Sequence, residues 1–225
     1  MIYSLGSRLG RRALVVTGDE PEANRVSSDL AAMGLKTLFY PFRDFSLRNA
    51  EGSSHEYEHQ RLLALASLLD GSCDAVVCCV DAALQYTIPP AELKRRTVTL
   101  RSGMNVPMGK VLSILSACGY EGAAQIDGPG QFSQRGGILD LFPPGQQQPV
   151  RAEFFGDEID TLSLFDLTTQ RRTEAVENIL ISPAVESLVS DPAGLAKQIR
   201  TLSSSLRGKT AAAAKTVLGR EADRL

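Results

Sequence analysis

Hydrophobic and polar positions follow two different patterns along this chain, and the change falls near residue 100. In the first hundred residues, short continuous apolar runs alternate with segments whose apolar residues recur at helical spacing. The predicted strands are RALVVTG (12–18), LKTLFYP (35–41) and CDAVVCCV (73–80), and the predicted helices are 19–34, 56–71 and two short segments near 82–86 and 91–96. Asp19 is expected to cap the first helix and Gly34 to end it. Strands alternating with helices predict a parallel α/β layer.

Beyond residue 100 the pattern predicts one amphipathic helix and then several short strands. The helix covers 107–120, and the extended segments after it are separated by turn residues at 128–137, 143–145 and 156–158. This composition predicts a small α+β domain. The last forty residues are predicted to be helical. This helical pattern continues up to residue 225, so a longer parent protein is expected.

The segment VRAEFF (150–155) raises a specific question, because it ends in two adjacent phenylalanines. In a strand, Val150, Ala152 and Phe154 share one face, and this apolar face is expected to pack under the helix at 107–120. Arg151, Glu153 and Phe155 share the polar face, with Arg151 and Phe155 about 13 Å apart. Upstream, Arg135 precedes Gly136 and Gly137, which suggest a bulge or a close approach of two backbones. An exposed aromatic residue near arginines is typical of a protein-binding centre, and the alternative is that Phe155 lies under a loop or under the chain's own tail.

Composition and charge exclude some classes of function. The chain has no apolar run near the roughly 20 residues of a membrane helix and no leader pattern, so a cytoplasmic protein is expected. Its four cysteines are predicted to be free, buried thiols. The net charge of −2 gives no overall basic field for nucleic acid. From Ala193 onward, however, seven Lys/Arg stand against two Asp/Glu. This tail is predicted to be either a solvated helix face or a surface that binds a partner or DNA, which neutralising Lys209, Lys215 and Arg220 would test.

Two short motifs suggest enzymes but lack the context that such sites need. HEYEH (55–59) matches H-E-x-x-H, in which His55 and His59 would hold zinc and Glu56 would act as general base of a hydrolase. These are the only two histidines, so no third ligand is evident. LRGKT (206–210) ends like a phosphate loop, but Ser203 stands where the pattern needs glycine and no strand precedes it.

The acidic residues near the centre of the chain offer no clear active site. Asp140 with Glu153, and Asp157 with Glu158, are predicted to be solvated acids on strands and turns. No G-x-S-x-G is present. No catalytic, cofactor-binding or metal-binding residue is therefore assigned, and no cofactor is expected.

Residues 119–171 contain the elements RGGILDLFPPG, PVRAEFFGDEID and FDLTTQR, and the segment YPFRDFSLRNAEGSSHEYEHQRLLAL stands earlier in the chain. In order and spacing the three elements resemble the UvrB-homology module of the bacterial transcription-repair coupling factors (Mfd), and the earlier segment resembles the family's first domain. The likeness extends over about residues 12–185. UvrB is similar in this region but has an intact phosphate loop, which this chain lacks, and this favours the coupling factors. A fragment of a UvrB-type excision-repair protein stays an alternative.

The resemblance implies a fold and a domain plan. The fold class is α/β: an incomplete parallel helicase-like domain of RecA/UvrB type, with an inserted small α+β domain that binds UvrA. The implied domains are a UvrB-like domain 1a at 1–99, a UvrB-like domain 2 at 100–184, and a helical return segment at 185–225 that starts domain 1b.

The resemblance also implies a function without catalysis in this chain. The module would bind UvrA and bring nucleotide excision repair to RNA polymerase stalled at damaged DNA. RNA polymerase, DNA and the ATP-driven motor would belong to other domains of the parent protein, and a C-terminal domain of the same protein would mask the surface until polymerase is engaged. The implied UvrA contacts are Arg135, Arg151 and Phe155, with Glu153 as a weaker candidate.

Overall fold

The computed structural model describes residues 10–43, 55–188, 191–208 and 211–224. Parts of two predicted segments therefore lie outside the described residues, namely 44–54 and Lys209 with Thr210. By its internal contacts the chain forms two compact units. The first comprises 10–43 and 55–186, and the second comprises the described residues from 187 onward.

The first part of the larger unit is the predicted parallel α/β layer. Its strands are β1 (Ala13–Thr17), β2 (Thr37–Tyr40) and β3 (Ala75–Cys79), and its helices are α1 (Glu20–Ala32), α2 (Glu56–Asp70), α3 (Val80–Ala83) and α4 (Pro90–Arg96). The strands pair in parallel in the order β1-β3-β2. The Asp19 side chain caps α1 by accepting from the Glu22 N–H, as the sequence predicts. Gly71 ends α2 in the left-handed conformation, where glycine has no steric penalty.

The parallel sheet is covered unevenly. α1 packs on one face, and α2 packs on the other over β2 and β3. Strand β3 is buried at all five positions, which explains its continuous apolar sequence. Leu14 and Val16 of the edge strand β1 stay exposed. All four cysteines are free and buried, as predicted.

The second part of this unit is the predicted small α+β region. It contains β4 (Val98–Arg101), α5 (Met108–Ala117), β5 (Glu121–Gly122), β6 (Gln131–Arg135), β7 (Ile138–Leu141), β8 (Val150–Phe155), β9 (Glu158–Phe165), β10 (Arg172–Ala175) and β11 (Asn178–Ile181). Six strands form one sheet in the order β10-β9-β8-β7-β6-β5, antiparallel except between β5 and β6. Strand β4 pairs with β11, so this region begins and ends side by side. Val111 and Leu115 of α5 are buried in the core formed with the apolar face of the sheet.

Two tight turns set the geometry of the opposite, polar face. Gly136 and Gly137 join β6 to β7, and Gly136 has a φ of 59° that favours glycine. A side chain at Gly137 would meet the Phe154 carbonyl at 3.0 Å, so the predicted close backbone approach is confirmed here. The second turn joins β8 to β9 through Gly156, whose φ is 63°. Between the pairs Glu153–Thr161 and Phe154–Ile159, β9 contains one extra residue.

A buried ion pair ties α2 to the segment that follows β11. Arg61 Nε donates to Glu186 Oε2 at 2.7 Å, and its Nη2 donates to Oε1 at 3.1 Å. The guanidinium lies 4.1 Å from the centre of the Tyr40 ring, and its Nη1 donates to the Pro41 carbonyl and to Gln85. Burial raises the pKa of Glu186, but the hydrogen bond and charge of Arg61 outweigh it, so the pKa is lowered.

The second unit contains two helices, α6 (Pro192–Ser205) and α7 (Ala211–Arg224), as predicted for the end of the chain. They pack on each other, and Arg200 pairs with Asp223 at 2.8 Å. Within the described part of the chain, no helix is both long and apolar enough to cross a bilayer.

Candidate partner-binding surface

Strands β6, β7 and β8 bring Arg135 and Arg151 to one carboxylate. Asp140 of β7 stands directly opposite Arg151 of β8, and its other neighbour in the sheet is Ser133 of β6. These side chains share the face of the sheet that is turned away from α5, because side chains alternate along a strand. Phe155 lies four residues beyond Arg151 on the same strand.

The two adjacent phenylalanines occupy different environments. Phe154 stands opposite Ile159 and packs against the core. Phe155 stands at the β8–β9 turn, and 84% of its surface is exposed. Among the described residues of the larger unit no loop covers it, so the prediction that Phe155 lies under a loop is wrong. A large apolar ring left in water is the kind of group that gains free energy when a partner covers it.

Arg151 is held on three sides. Its Nε donates to Asp140 Oδ1 at 2.6 Å, and its Nη2 donates to Oδ2 at 2.9 Å. The guanidinium lies 4.5 Å from the centre of the Phe165 ring, and Nη1 donates to the Gln170 carbonyl at 3.4 Å. The hydrogen bonds to Asp140 raise the pKa of Arg151 despite its burial. Only 14% of this side chain is exposed, so Arg151 is mostly covered by its neighbours.

Arg135 shares the same carboxylate but is far more accessible. Its Nη2 donates to Asp140 Oδ2 at 2.9 Å, and 53% of its side chain is exposed. Two guanidinium groups on one carboxylate leave the cluster with a net charge of about +1. Arg135 therefore presents most of the free positive charge on this face.

The predicted solvated character of Asp140 is wrong. Asp140 is 1% exposed, because it lies in a central strand opposite Arg151 and accepts three hydrogen bonds from arginine. A buried carboxylate requires such partners. Asp157 and Glu158, the other acidic pair, are exposed at the β8–β9 turn as predicted.

Glu153, the weaker candidate, forms an ion pair with Arg172 of β10. Both side chains are partly exposed, so this pair lies at the surface. Beside it on β9, the hydroxyls of Thr161 and Ser163 are buried and have no hydrogen-bond partner among the described residues. Arg172 was not identified from the sequence, although the adjacent arginines in the segment 170–175 were a signal of a charged edge strand.

The histidine pair does not form a metal site in the described chain. His55 and His59 stack with ring centres 6.0 Å apart, and His55 Nδ1 lies 3.3 Å from Glu58 Oε2. They line a cavity of about 520 Å³ with Glu56 and mainly apolar neighbours. No group of three or more His, Cys, Asp or Glu among the described residues could hold a metal ion. The HEYEH stretch is thus the start of α2, with His59 partly buried and without a third zinc ligand in the described part of the chain.

Two carboxylate side chains of this chain lie at the turn between β1 and α1. The Asp19 carboxylate accepts from the Glu22 N–H at 2.7 Å, and the Glu22 carboxylate accepts from the Gly18 N–H at 3.3 Å. In nucleotide-binding α/β domains this helix N-terminus faces phosphate. Here two carboxylates occupy that position. The other phosphate-loop-like segment follows the helix α6 instead of a strand, and its Lys209 and Thr210 lie outside the described residues.

Part of this chain matches a known protein family. Residues 98–186 match the family model described as the UvrB interaction domain. This match covers the six-stranded sheet and the Arg135–Asp140–Arg151 cluster, and it defines the region as a protein-interaction module.

The rest of the likeness is to one group of bacterial proteins. The transcription-repair-coupling factor of Bacillus subtilis (strain 168) is 30% identical over 90% of this chain, and that of Haemophilus influenzae is 30% identical over 79%. The protein of the same name from Staphylococcus aureus (strain MRSA252) is 25% identical over 93%. The chain is thus related to the transcription-repair-coupling factors. It spans 16–18% of the length of these curated relatives.

Proposed function

We propose that this chain is a non-catalytic recruitment module of a transcription-repair coupling factor, and that it binds UvrA through Arg135, Arg151 and Phe155. The observation that carries the proposal is the exposed ring of Phe155 on the same strand as Arg151, one of the two arginines of a cationic cluster. Binding UvrA would bring excision repair to RNA polymerase stalled at damaged DNA.

The chemistry of the surface indicates what the partner must offer. Phe155 requires an apolar pocket, and Arg135 requires a carboxylate or carbonyl oxygen. Arg151 supplies a fixed, mostly covered guanidinium beside Arg135. Glu153 is already paired with Arg172, which supports a lesser role for it in direct contact.

The fold supports the helicase-like part of the proposal in two ways. The parallel sheet leaves Leu14 and Val16 exposed on the edge strand, as expected for an incomplete domain of RecA/UvrB type. The β4–β11 pair brings the ends of the small α+β region together, as an inserted domain requires. We retain the boundaries 1–99, 100–184 and 185–225 for domain 1a, domain 2 and the return segment.

The β1–α1 turn supports the absence of nucleotide chemistry in this module. Because Asp19 and Glu22 occupy the helix N-terminus, a triphosphate there would meet two negative charges. In the proposed parent protein the ATP-driven motor and the contacts with RNA polymerase and DNA belong to other domains. A C-terminal domain of that protein would cover the UvrA surface until polymerase is engaged.

The decisive experiment compares UvrA binding by the wild-type chain and by Phe155→Ala. Removal of a central aromatic anchor is expected to cost about 2 kcal/mol or more, or roughly thirtyfold in Kd. The melting temperature should stay near the wild-type value because Phe155 is exposed. The matched control is Tyr86→Ala, since Tyr86 is a 96% exposed aromatic residue of the parallel layer. Equal binding by wild type and Phe155→Ala, or equal loss in both variants, would contradict the proposal.

A further inference from the structure

Three arginine N–H donors converge on a single buried carboxylate in the middle of the surface. Asp140 accepts from Nε and Nη2 of Arg151 and from Nη2 of Arg135, at 2.6, 2.9 and 2.9 Å. The Asp140 side chain is only 2% exposed, whereas half of the Arg135 side chain is accessible. A partner protein can therefore reach Arg135 without reaching Asp140.

The carboxylate determines where both guanidinium groups stand. A bidentate pair fixes the plane of a guanidinium as well as its position. For Arg151 that plane lies on the Phe165 ring, with the Gln170 carbonyl at its edge. For Arg135, one hydrogen bond at Nη2 fixes the end of a long side chain that solvent would otherwise leave mobile.

The carboxylate also makes the closeness of the two arginines possible. Two guanidinium groups that reach the same side chain repel each other unless a negative charge lies between them. Buried ion pairs add little to stability when compared with apolar residues of the same volume. Geometry is a better explanation for an acid at this position than stability.

We infer that Asp140 is a positioning residue of the partner-binding surface. It makes no contact with the partner, but it holds Arg135 and Arg151 side by side so that both are arranged for an acidic partner before binding. This inference rests on the proposed function, because it assumes that the face with Phe155 is the face that binds UvrA.

Asp140→Asn tests the inference because it removes the charge and changes the shape very little. UvrA binding is expected to weaken about tenfold, since the hydrogen bonds lost are to a charged group. The control is Asp160→Asn, an exposed aspartate in the extra position of β9. That variant loses the same charge and should bind UvrA as the wild type does.

A spectroscopic measurement separates positioning from a general loss of structure. The Nε–H of Arg151 should give a resolved arginine side-chain signal in a ¹H–¹⁵N spectrum, because its hydrogen bond to Asp140 slows exchange with water. The signal should broaden or vanish in Asp140→Asn and persist in Asp160→Asn. Backbone signals of β6–β9 should be retained in both variants.

Arg151→Lys provides a second test if Asp140→Asn folds poorly. Lysine keeps the charge but cannot form the bidentate pair. The inference expects weaker UvrA binding by about fivefold or more, since much of the charged hydrogen bonding is lost. Unchanged binding would mean that charge alone matters.

The double variant Asp140→Asn with Arg151→Ala should lose less UvrA affinity than the product of the two single effects, because Asp140 acts through Arg151. Fully multiplicative effects would overturn the inference.

The outcomes distinguish this inference from the proposed function. If Phe155→Ala loses UvrA and Asp140→Asn does not, the surface assignment stands and the positioning role of Asp140 is wrong. If Phe155→Ala retains full binding, the proposed function itself fails. Loss in Phe155→Ala and Asp140→Asn, with normal binding by Asp160→Asn, supports both.

Discussion

The molecule contains the same arrangement of side chains twice, once inside and once at its surface. Arg61 with Glu186 and Arg151 with Asp140 are both bidentate pairs, and each guanidinium lies on an aromatic ring, at 4.1 and 4.5 Å. In both places the carboxylate is buried. Each carboxylate also accepts a second arginine.

The difference between the two clusters lies in that second arginine. Arg43, which reaches Glu186 at 3.4 Å, is 17% exposed, whereas Arg135 beside Asp140 is 53% exposed. All three residues of the inner cluster, Arg61, Arg43 and Glu186, therefore form their hydrogen bonds within the fold, and they join α2 to the end of the α+β region. The outer cluster has the same chemistry but retains a cation that a partner can reach. The exposure of one side chain is thus what distinguishes the inner ion-pair cluster from the cluster that we propose as a binding surface.

The largest effect is expected at the inner cluster. Glu186→Gln leaves the fully buried Arg61 without a countercharge, and breaking a buried pair in this way costs about 3–5 kcal/mol. Urea unfolding should show this as a lower midpoint with an unchanged slope. Glu174→Gln, at an exposed position of β10, is the control and should unfold as the wild type does. A loss below about 1 kcal/mol in Glu186→Gln would mean that the inner pair is no clamp.

One pH dependence of stability should come from His59, near the start of α2. Burial lowers the pKa of His59 below its ordinary 6.5. Between 6.5 and that lower pKa the unfolded chain binds more protons than the folded chain, so stability falls as the pH drops below about 6.5.

His59→Gln separates this pH effect from the others. Unfolding free energies measured between pH 7.5 and 5.5 should fall less steeply in His59→Gln than in the wild type. His55→Gln removes a neighbour whose charge also lowers the pKa of His59, so it should flatten the slope by less than His59→Gln does. The same slope in all three proteins would assign the pH effect to another group.

The sequence predicted the backbone plan of this molecule better than its polar contacts. Strand and helix order, the Asp19 cap and the opposite faces of Phe154 and Phe155 all follow from local patterns, which depend on neighbours within a few residues. The Arg61–Glu186 pair joins residues 125 positions apart, and no local pattern indicates it. Asp140 was misjudged for a related reason. Period-two alternation places it on the outer face, but it cannot show that two arginines enclose it there.

The smallest effect on stability is expected for Arg135→Ala, which removes the accessible arginine of the outer cluster. Asp140 keeps its bidentate partner Arg151, so the free energy of unfolding should change by no more than about 0.5 kcal/mol. A thermal melt measures this against Arg95→Ala, which removes an exposed arginine from a surface pair with Glu92. UvrA binding by Arg135→Ala should nonetheless weaken, since Arg135 presents most of the reachable charge. A stability loss above about 1 kcal/mol would show that Asp140 needs both arginines to stay buried, and that the outer cluster is a second clamp.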